Sequence, residues 1–173
     1  MGVFGFLRRN PHERTGYELY AAAVAAARAP WLYASLGVPD TLDGRFDLVG
    51  LHACLLIRRL RTRPELAQAV FDAMFHDMDV NLREMGVGDL SVGKKVKVMW
   101  EAFHGRASAY TQALDAGDSA LLAAALARNV WRGADAGDGP ARLAAIALAQ
   151  AAHLDGQELT GGHAAFLPPE SLA

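Results

Sequence analysis

Apolar residues between positions 66 and 114 recur at steps of three and four in two runs, separated by a glycine-containing link. This spacing predicts two amphipathic helices, each with one buried stripe. The first stripe consists of Leu66, Val70, Phe71, Met74, Phe75, Met78, Leu82 and Met85. The second consists of Val96, Met99, Trp100, Phe103, Ala107, Tyr110 and Leu114. Gly86, Gly88 and Gly93 mark a link of about eight residues, because glycine tolerates the positive φ that ends a helix. The pattern predicts a helical hairpin with a charged outer surface.

Further helical patterns flank this hairpin. We expect a helix over 11–28, a short apolar segment over 31–36, and a helix over 46–61 whose centre, LVGLHACLLI, is apolar on all sides. Such a helix is typical of the middle of a bundle. Thr62 is a suitable N-cap for the first hairpin helix, and Asp118 for a helix that ends near Trp131. Pro140 is expected to start a last helix over 140–154.

Composition supports an all-α fold in a single compact domain of about six to seven helices around the central hairpin. Alanine is abundant, β-branched residues are few, and apolar residues make up 52% of the 173 positions. We divide the chain into a flexible N-terminal lead over 1–11, a helical domain over 12–155 and an irregular tail over 156–173. The single Cys54 favours a reducing compartment.

Positions 1–9 do not resemble a signal peptide, because their apolar stretch precedes Arg8 and Arg9 instead of following them. No apolar run reaches the roughly 20 residues that span a bilayer. We therefore expect a cytoplasmic protein with at most a peripheral contact to the inner membrane.

The net charge of −2 argues against a general nucleic-acid-binding protein. The charge is uneven, since residues 1–106 contain 14 Lys+Arg and 12 Asp+Glu and residues 107–173 contain 3 and 7. One interpretation is a basic patch formed by Arg58, Arg59, Arg61, Arg63, Lys94, Lys95 and Lys97. The alternative is that these side chains are solvated helix ends.

Motifs for chemistry are incomplete. Residues 88–94 match GxxxxGK of a phosphate-binding loop, but Lys95 replaces the magnesium-binding hydroxyl and a helix precedes the motif instead of a strand. Glu101 and His104 form one Glu-x-x-His pair, whereas a di-iron bundle needs two pairs and further carboxylates. His52 and Cys54 lie in the apolar helix and are interpreted as core residues. We predict no catalytic residue, no metal and no cofactor.

Three stretches of the chain resemble the ubiquinol–cytochrome c chaperone family. They are LYASLGVPDTLDGRFD at 32–47, FDLVGLHACLLIRRL at 46–60 and AQAVFDAMFHDMDVNLREMGVGDLSVGKKVKVMWEAFHGRASAY at 67–110. The most specific string runs from Asp77 through Gly86 and Asp89 to Lys95. The resemblance covers roughly residues 17–115.

This resemblance implies assembly of ubiquinol–cytochrome c reductase without catalysis, with newly made cytochrome b as the client. Mitochondrial members of the family also work with a small partner protein and associate with the ribosome near its exit. A client or partner would find mixed-sign polar contacts on the hairpin, with specificity from charge complementarity. These candidate partner-binding residues are Asp77, Asp79, Arg83, Glu84, Asp89, Lys94, Lys95 and Lys97. Two alternatives are a metal- or cofactor-binding helical enzyme that uses Glu101 and His104, and a membrane-surface module that uses 1–9.

Overall fold

The computed structural model describes residues 11–172, which form seven α-helices and contain no strand. The helices are α1 (Glu13–Ala27), α2 (Pro30–Ala34), α3 (Leu42–Arg59), α4 (Pro64–Glu84), α5 (Asp89–Ala116), α6 (Ser119–Leu126) and α7 (Gly139–Asp155). A π-helical turn, Ala127–Trp131, continues α6, and a 3₁₀ turn, Pro169–Ser171, lies near the C-terminus. The predicted all-α domain is confirmed. The N-terminal lead, apart from its last residue, lies outside the described residues.

Helix α3 is the centre of the domain, as its apolar sequence predicted. It packs against α1, α4, α5 and α7. Leu48, Leu51, Leu55 and Leu56 on this helix are each at most 1% exposed. Because four helices cover it, α3 is apolar around most of its circumference instead of along one stripe.

Helices α1 and α4 also approach each other closely. A Cβ atom placed on Gly16 of α1 would lie 2.6 Å from the carbonyl carbon of Ala69 on α4. That distance is shorter than van der Waals contact, so only glycine permits this separation of the two backbones. Residue 16 thereby allows α1 to lie directly on the first half of the hairpin.

Two predicted helix caps have different outcomes. The carboxylate of Asp118 accepts a hydrogen bond from the Leu121 backbone N–H at 2.9 Å, which confirms Asp118 as the cap of α6. The cap assigned to Thr62 is wrong, because Arg63 occupies the N-cap position of α4 and its side chain makes no capping hydrogen bond. Pro64 explains the shift, since a residue that precedes proline is held out of the helical region and the proline begins the helix.

Helices α4 and α5 form the predicted antiparallel hairpin. Rings of Phe71 and Phe103 lie 5.8 Å apart in its middle, and Arg83 contacts Asp89 at its turn. The link is shorter than predicted and spans only 85–88, because Gly93 lies inside α5. Gly86 ends α4 with a φ of 82°. The hairpin is therefore a tight turn between two long helices.

The segment after α7 is not α-helical, but it is held to the domain by hydrogen bonds. The Gln150 amide donates to the Leu167 carbonyl at 2.7 Å and accepts from the Leu167 N–H at 2.9 Å. The Phe166 ring lies edge-on to His52, with centroids 5.3 Å apart. Residues 163–167 thus lie against α7 and the central helix.

Candidate interaction surface

Among the residues considered for catalysis or metal binding, Glu101 and His104 are exposed on α5, and His52 and Cys54 are buried in α3. No group of three His, Cys, Asp or Glu side chains among residues 11–172 is arranged as a metal site. His104 is exposed, with Nδ1 3.1 Å from the Trp100 carbonyl and its ring 4.0 Å from the Trp100 ring. The GxxxxGK match lies largely within α5, without the preceding strand that a phosphate-binding loop requires.

His52 and Cys54 are core residues, as predicted. His52 Nδ1 lies 2.8 Å from the Leu48 carbonyl, and burial lowers the pKa of the ring to about 4. Burial also raises the pKa of the Cys54 thiol to about 11. His52 is therefore neutral near pH 7 and Cys54 is protonated, which makes the thiol a poor nucleophile.

The predicted partner-binding residues divide into paired and unpaired groups. Asp79 accepts from Arg83 at 2.7 Å, and Arg83 also contacts Asp89 across the turn of the hairpin. Asp77 accepts a hydrogen bond at 2.7 Å from the Tyr20 hydroxyl, which joins α4 to α1. These four residues therefore stabilise the hairpin and its packing.

The other four predicted partner-binding residues are exposed. They are Glu84, Lys94, Lys95 and Lys97, and none forms an ion pair with another residue in the described part of the chain. They surround the turn and the first turns of α5. A charged partner can therefore contact them without displacing an internal ion pair.

Four apolar side chains are exposed around the same turn. Met85 is 58% exposed, Leu90 98%, Val98 60% and Trp100 44%. Met85 and Trp100 were predicted to be buried, and that prediction is wrong. Helical periodicity identifies the apolar face of a helix, but it does not show whether another helix covers that face. We call residues 85–100 the hairpin tip.

The basic patch, one of the two interpretations of these charges, is not formed. Arg58 donates to Asp115 at 2.8 Å and to Asp155 at 3.2 Å, and Arg61 donates to Asp115 at 3.2 Å. Asp115 lies 18 residues after Lys97 in α5, so about 27 Å of helix separates the arginine cluster from the lysines. The physical reason is the parallel course of α3 and α5: Gly50 faces Phe103 near the middle of both helices, and Arg58 meets Asp115 at their C-terminal ends.

One buried charge cluster was missed by the sequence reasoning. The Asp47 carboxylate is buried and contacts both Arg106 and Arg132, the latter at 2.6 Å. Burial raises the pKa of Asp47, while the two guanidinium groups oppose that rise. Arg132 adopts a φ of 53°, which is uncommon outside glycine, and it lies just after the π-helical turn. An aspartate near the start of an apolar helix was the only signal in the sequence.

An open groove of about 460 Å³ runs along α1, and Asp77 lies on its wall. Its other lining residues include Tyr17, Tyr20, Val24 and Arg28. The groove is open to solvent, and its aromatic lining residues are the two tyrosines. No helix among the described residues is long and apolar enough to cross a membrane.

Comparisons with known proteins agree with the resemblance in the sequence. The family model described as ubiquinol-cytochrome C chaperone matches residues 34–161. The crystal structure of the Cbp3 homologue from Brucella abortus is similar to this chain, with 34% sequence identity and a TM-score of 0.84. That match covers 94% of this chain and 93% of the Brucella chain. No curated protein matches the sequence.

Proposed function

The chain belongs to the ubiquinol–cytochrome c chaperone family, and we propose that it is a non-enzymatic assembly chaperone whose client is newly made cytochrome b. The family match and the similarity to the Cbp3 homologue support a role in assembly of the ubiquinol–cytochrome c reductase. The hairpin tip supports the client-binding part of the proposal.

The observation that carries this proposal is the exposure of apolar side chains beside unpaired charges. Leu90, Val98 and Trp100 are exposed next to Lys94 and Lys97. An exposed apolar patch rimmed by polar groups is typical of a protein or membrane contact. A membrane protein that has not yet assembled exposes apolar helices, so an apolar surface with polar rims fits such a client.

The Trp100 end of the tip continues into an aromatic cluster between the two hairpin helices. The ring centroids of Phe71 and His104 lie 5.4 Å apart, and those of Phe75 and Phe103 lie 6.0 Å apart. These rings hold α4 against α5 and fix the position of Trp100 through its stacking on His104. The client surface is thus presented on a rigid support.

Photo-crosslinking in the native cell tests the proposal. A photo-reactive residue replaces Lys97 or Asp79 in the full chain, and a matched variant carries it at exposed Arg128 after α6. We expect cytochrome b among the products at position 97 and none at position 128. A product with a ribosomal exit protein or a small protein at either hairpin position would identify the further partners that the family resemblance implies.

Two outcomes would count against the proposal. Cytochrome b captured only from position 128 would move the client site away from the hairpin. Absence of cytochrome b at every position, in a strain that makes the complex, would remove cytochrome b as the client.

A further inference from the structure

All three lysines of the chain lie at positions 94, 95 and 97, whereas the other 14 basic residues are arginines. Many of those arginines are held by acidic residues, as Arg58 is by Asp115 and Arg83 is by Asp79. The lysines have no such partner among residues 11–172, although an acidic residue, Glu101, lies four positions after Lys97. The only lysines are therefore an exposed cluster at one end of the molecule.

The helical spacing places this cluster among exposed apolar residues. Leu90, Lys94 and Val98 follow one another at steps of four, so they form one row along α5. At about 100° per residue, Lys97 lies about 20° from Leu90, and Lys95 about 60° from Val98. Buried Val92 lies on the opposite side of the helix. The outward face of the first turns of α5 thus alternates leucine, lysine and valine.

We propose that this outward face of α5 docks on an anionic lipid surface, with Leu90 and Val98 among the headgroups and the lysines on the phosphates. The inference deepens the proposed function, on which it rests, by naming the surface that would bring the chaperone to the membrane where its client inserts. The proposed membrane contact lies on the hairpin tip, whereas the membrane-surface alternative from the sequence used residues 1–9.

The side chains on this outward face extend into open space. Leu90 is almost fully exposed, and nothing lies within 4 Å of the Cβ positions of Gly88 or Gly93. No other part of the described chain covers the surface beside this row. An exposed row of apolar and cationic side chains on one helix face can lie on a lipid surface, with the apolar groups among the headgroups. Lysine suits this role because its flexible stem carries a point charge to a phosphate.

The charges near the lysines determine how strongly the chain should bind an anionic lipid surface. Asp89 is paired with Arg83, so the three lysines outnumber the nearby acidic residues without an ion pair in the described chain, Glu84 and Glu101. Each lysine close to an anionic surface strengthens binding about fivefold, which corresponds to about 1 kcal/mol. Glu101 opposes this attraction from one turn beyond Lys97. We therefore expect weak, reversible and salt-sensitive binding.

Co-sedimentation with vesicles tests the proposal on the full chain. The vesicles are phosphatidylcholine alone or phosphatidylcholine with one-third phosphatidylglycerol. We expect binding only to the anionic vesicles, and loss of most of it between about 0.1 M and about 1 M salt, where the Debye length falls from about 10 Å to about 3 Å. The double variant K94Q/K97Q should bind about 25-fold more weakly. Glu101→Gln should bind up to about fivefold more tightly.

A charge-matched control is R28Q/R128Q, which removes two exposed cations from other parts of the surface. It should bind as the unmodified chain does. A fluorophore that responds to polarity gives a second readout: attached at Leu90→Cys it should shift to the blue with anionic vesicles, and at Leu121→Cys, an exposed position on α6, it should not. Cys54 is buried, so labelling reports the introduced cysteine.

Absence of binding to anionic vesicles would overturn the inference. An equal loss of vesicle binding in K94Q/K97Q and in R28Q/R128Q would overturn it too. If vesicles do not bind but Lys97 still crosslinks to cytochrome b, the face is a protein-binding surface and the proposed function stands. If vesicles bind as expected and no position crosslinks to cytochrome b, the lipid contact stands and the client assignment fails.

Discussion

The central helix and the hairpin tip use similar residues for opposite purposes. Both contain leucine and basic side chains. In α3, Leu55 is buried by neighbouring helices, and Arg58 is 11% exposed and bonded to two aspartates. At the tip, Leu90 is 98% exposed and Lys94 has no ion-pair partner among the described residues. The same residue types therefore stabilise the domain where other helices cover them and remain available to partners where no helix covers them.

Replacing one leucine by alanine in each region should give the largest difference in the free energy of unfolding. Leu55→Ala leaves a cavity among four helices, so we expect the free energy of unfolding to fall by about 3 kcal/mol. Leu90→Ala removes contact with water only, and we expect a change within about 0.5 kcal/mol. Urea unfolding followed by circular dichroism measures both. A cost for Leu90→Ala close to that of Leu55→Ala would show that the tip is covered in solution.

The buried histidine of α3, His52, should make the stability of the domain depend on pH. The folded pKa of His52 is lowered to about 4 by burial, whereas the unfolded value is 6.5. Its neutral form therefore contributes stability that is complete above about pH 6.5 and is lost as the pH falls toward 4. Between pH 7 and pH 5 we expect the free energy of unfolding to fall by about 2 kcal/mol from this group.

The variant His52→Phe separates this contribution from the general effect of acid. It should reduce the loss of unfolding free energy between pH 7 and pH 5 by about 2 kcal/mol. Urea unfolding at both pH values measures the difference. An equal pH dependence in the chain with histidine and the chain with phenylalanine at position 52 would contradict a neutral buried imidazole.

Replacing one arginine by glutamine in each region should give the smallest difference in the free energy of unfolding. Arg58→Gln removes charged hydrogen bonds from a mostly buried guanidinium, and we expect a cost of about 1.5 kcal/mol. Arg83→Gln removes its contacts with half-buried Asp79 and exposed Asp89, and we expect a cost of about 0.5 kcal/mol. The midpoint of urea unfolding measures each change. Equal costs would indicate that the ion pairs of Arg83 are as protected from water as those at the C-terminal end of α3.

The same contrast explains which sequence predictions failed. Periodicity correctly placed the apolar face of α4 at Val70 and Met74, which are buried. It misplaced Met85, which follows the last residue of α4, and Trp100, because the spacing of apolar residues does not fix how wide a sector of a helix its neighbours cover. Lys94 and Arg58 were grouped by charge, although the parallel course of α3 and α5 separates them. The contact between Asp47 and Arg132 joins residues 85 positions apart, and no local pattern connects them.

The sequence by itself determined the all-α class, the hairpin, the central helix and the cap at Asp118, because periodicity, proline and capping act within a few residues of one another. It also supplied the family, through a long specific string around the hairpin turn. Only the tertiary structure decided which apolar and charged side chains remain exposed: the leucine at the tip, the three lysines and the paired arginines. Exposure depends on which distant helix covers a face, and that coverage is a property of the packed chain.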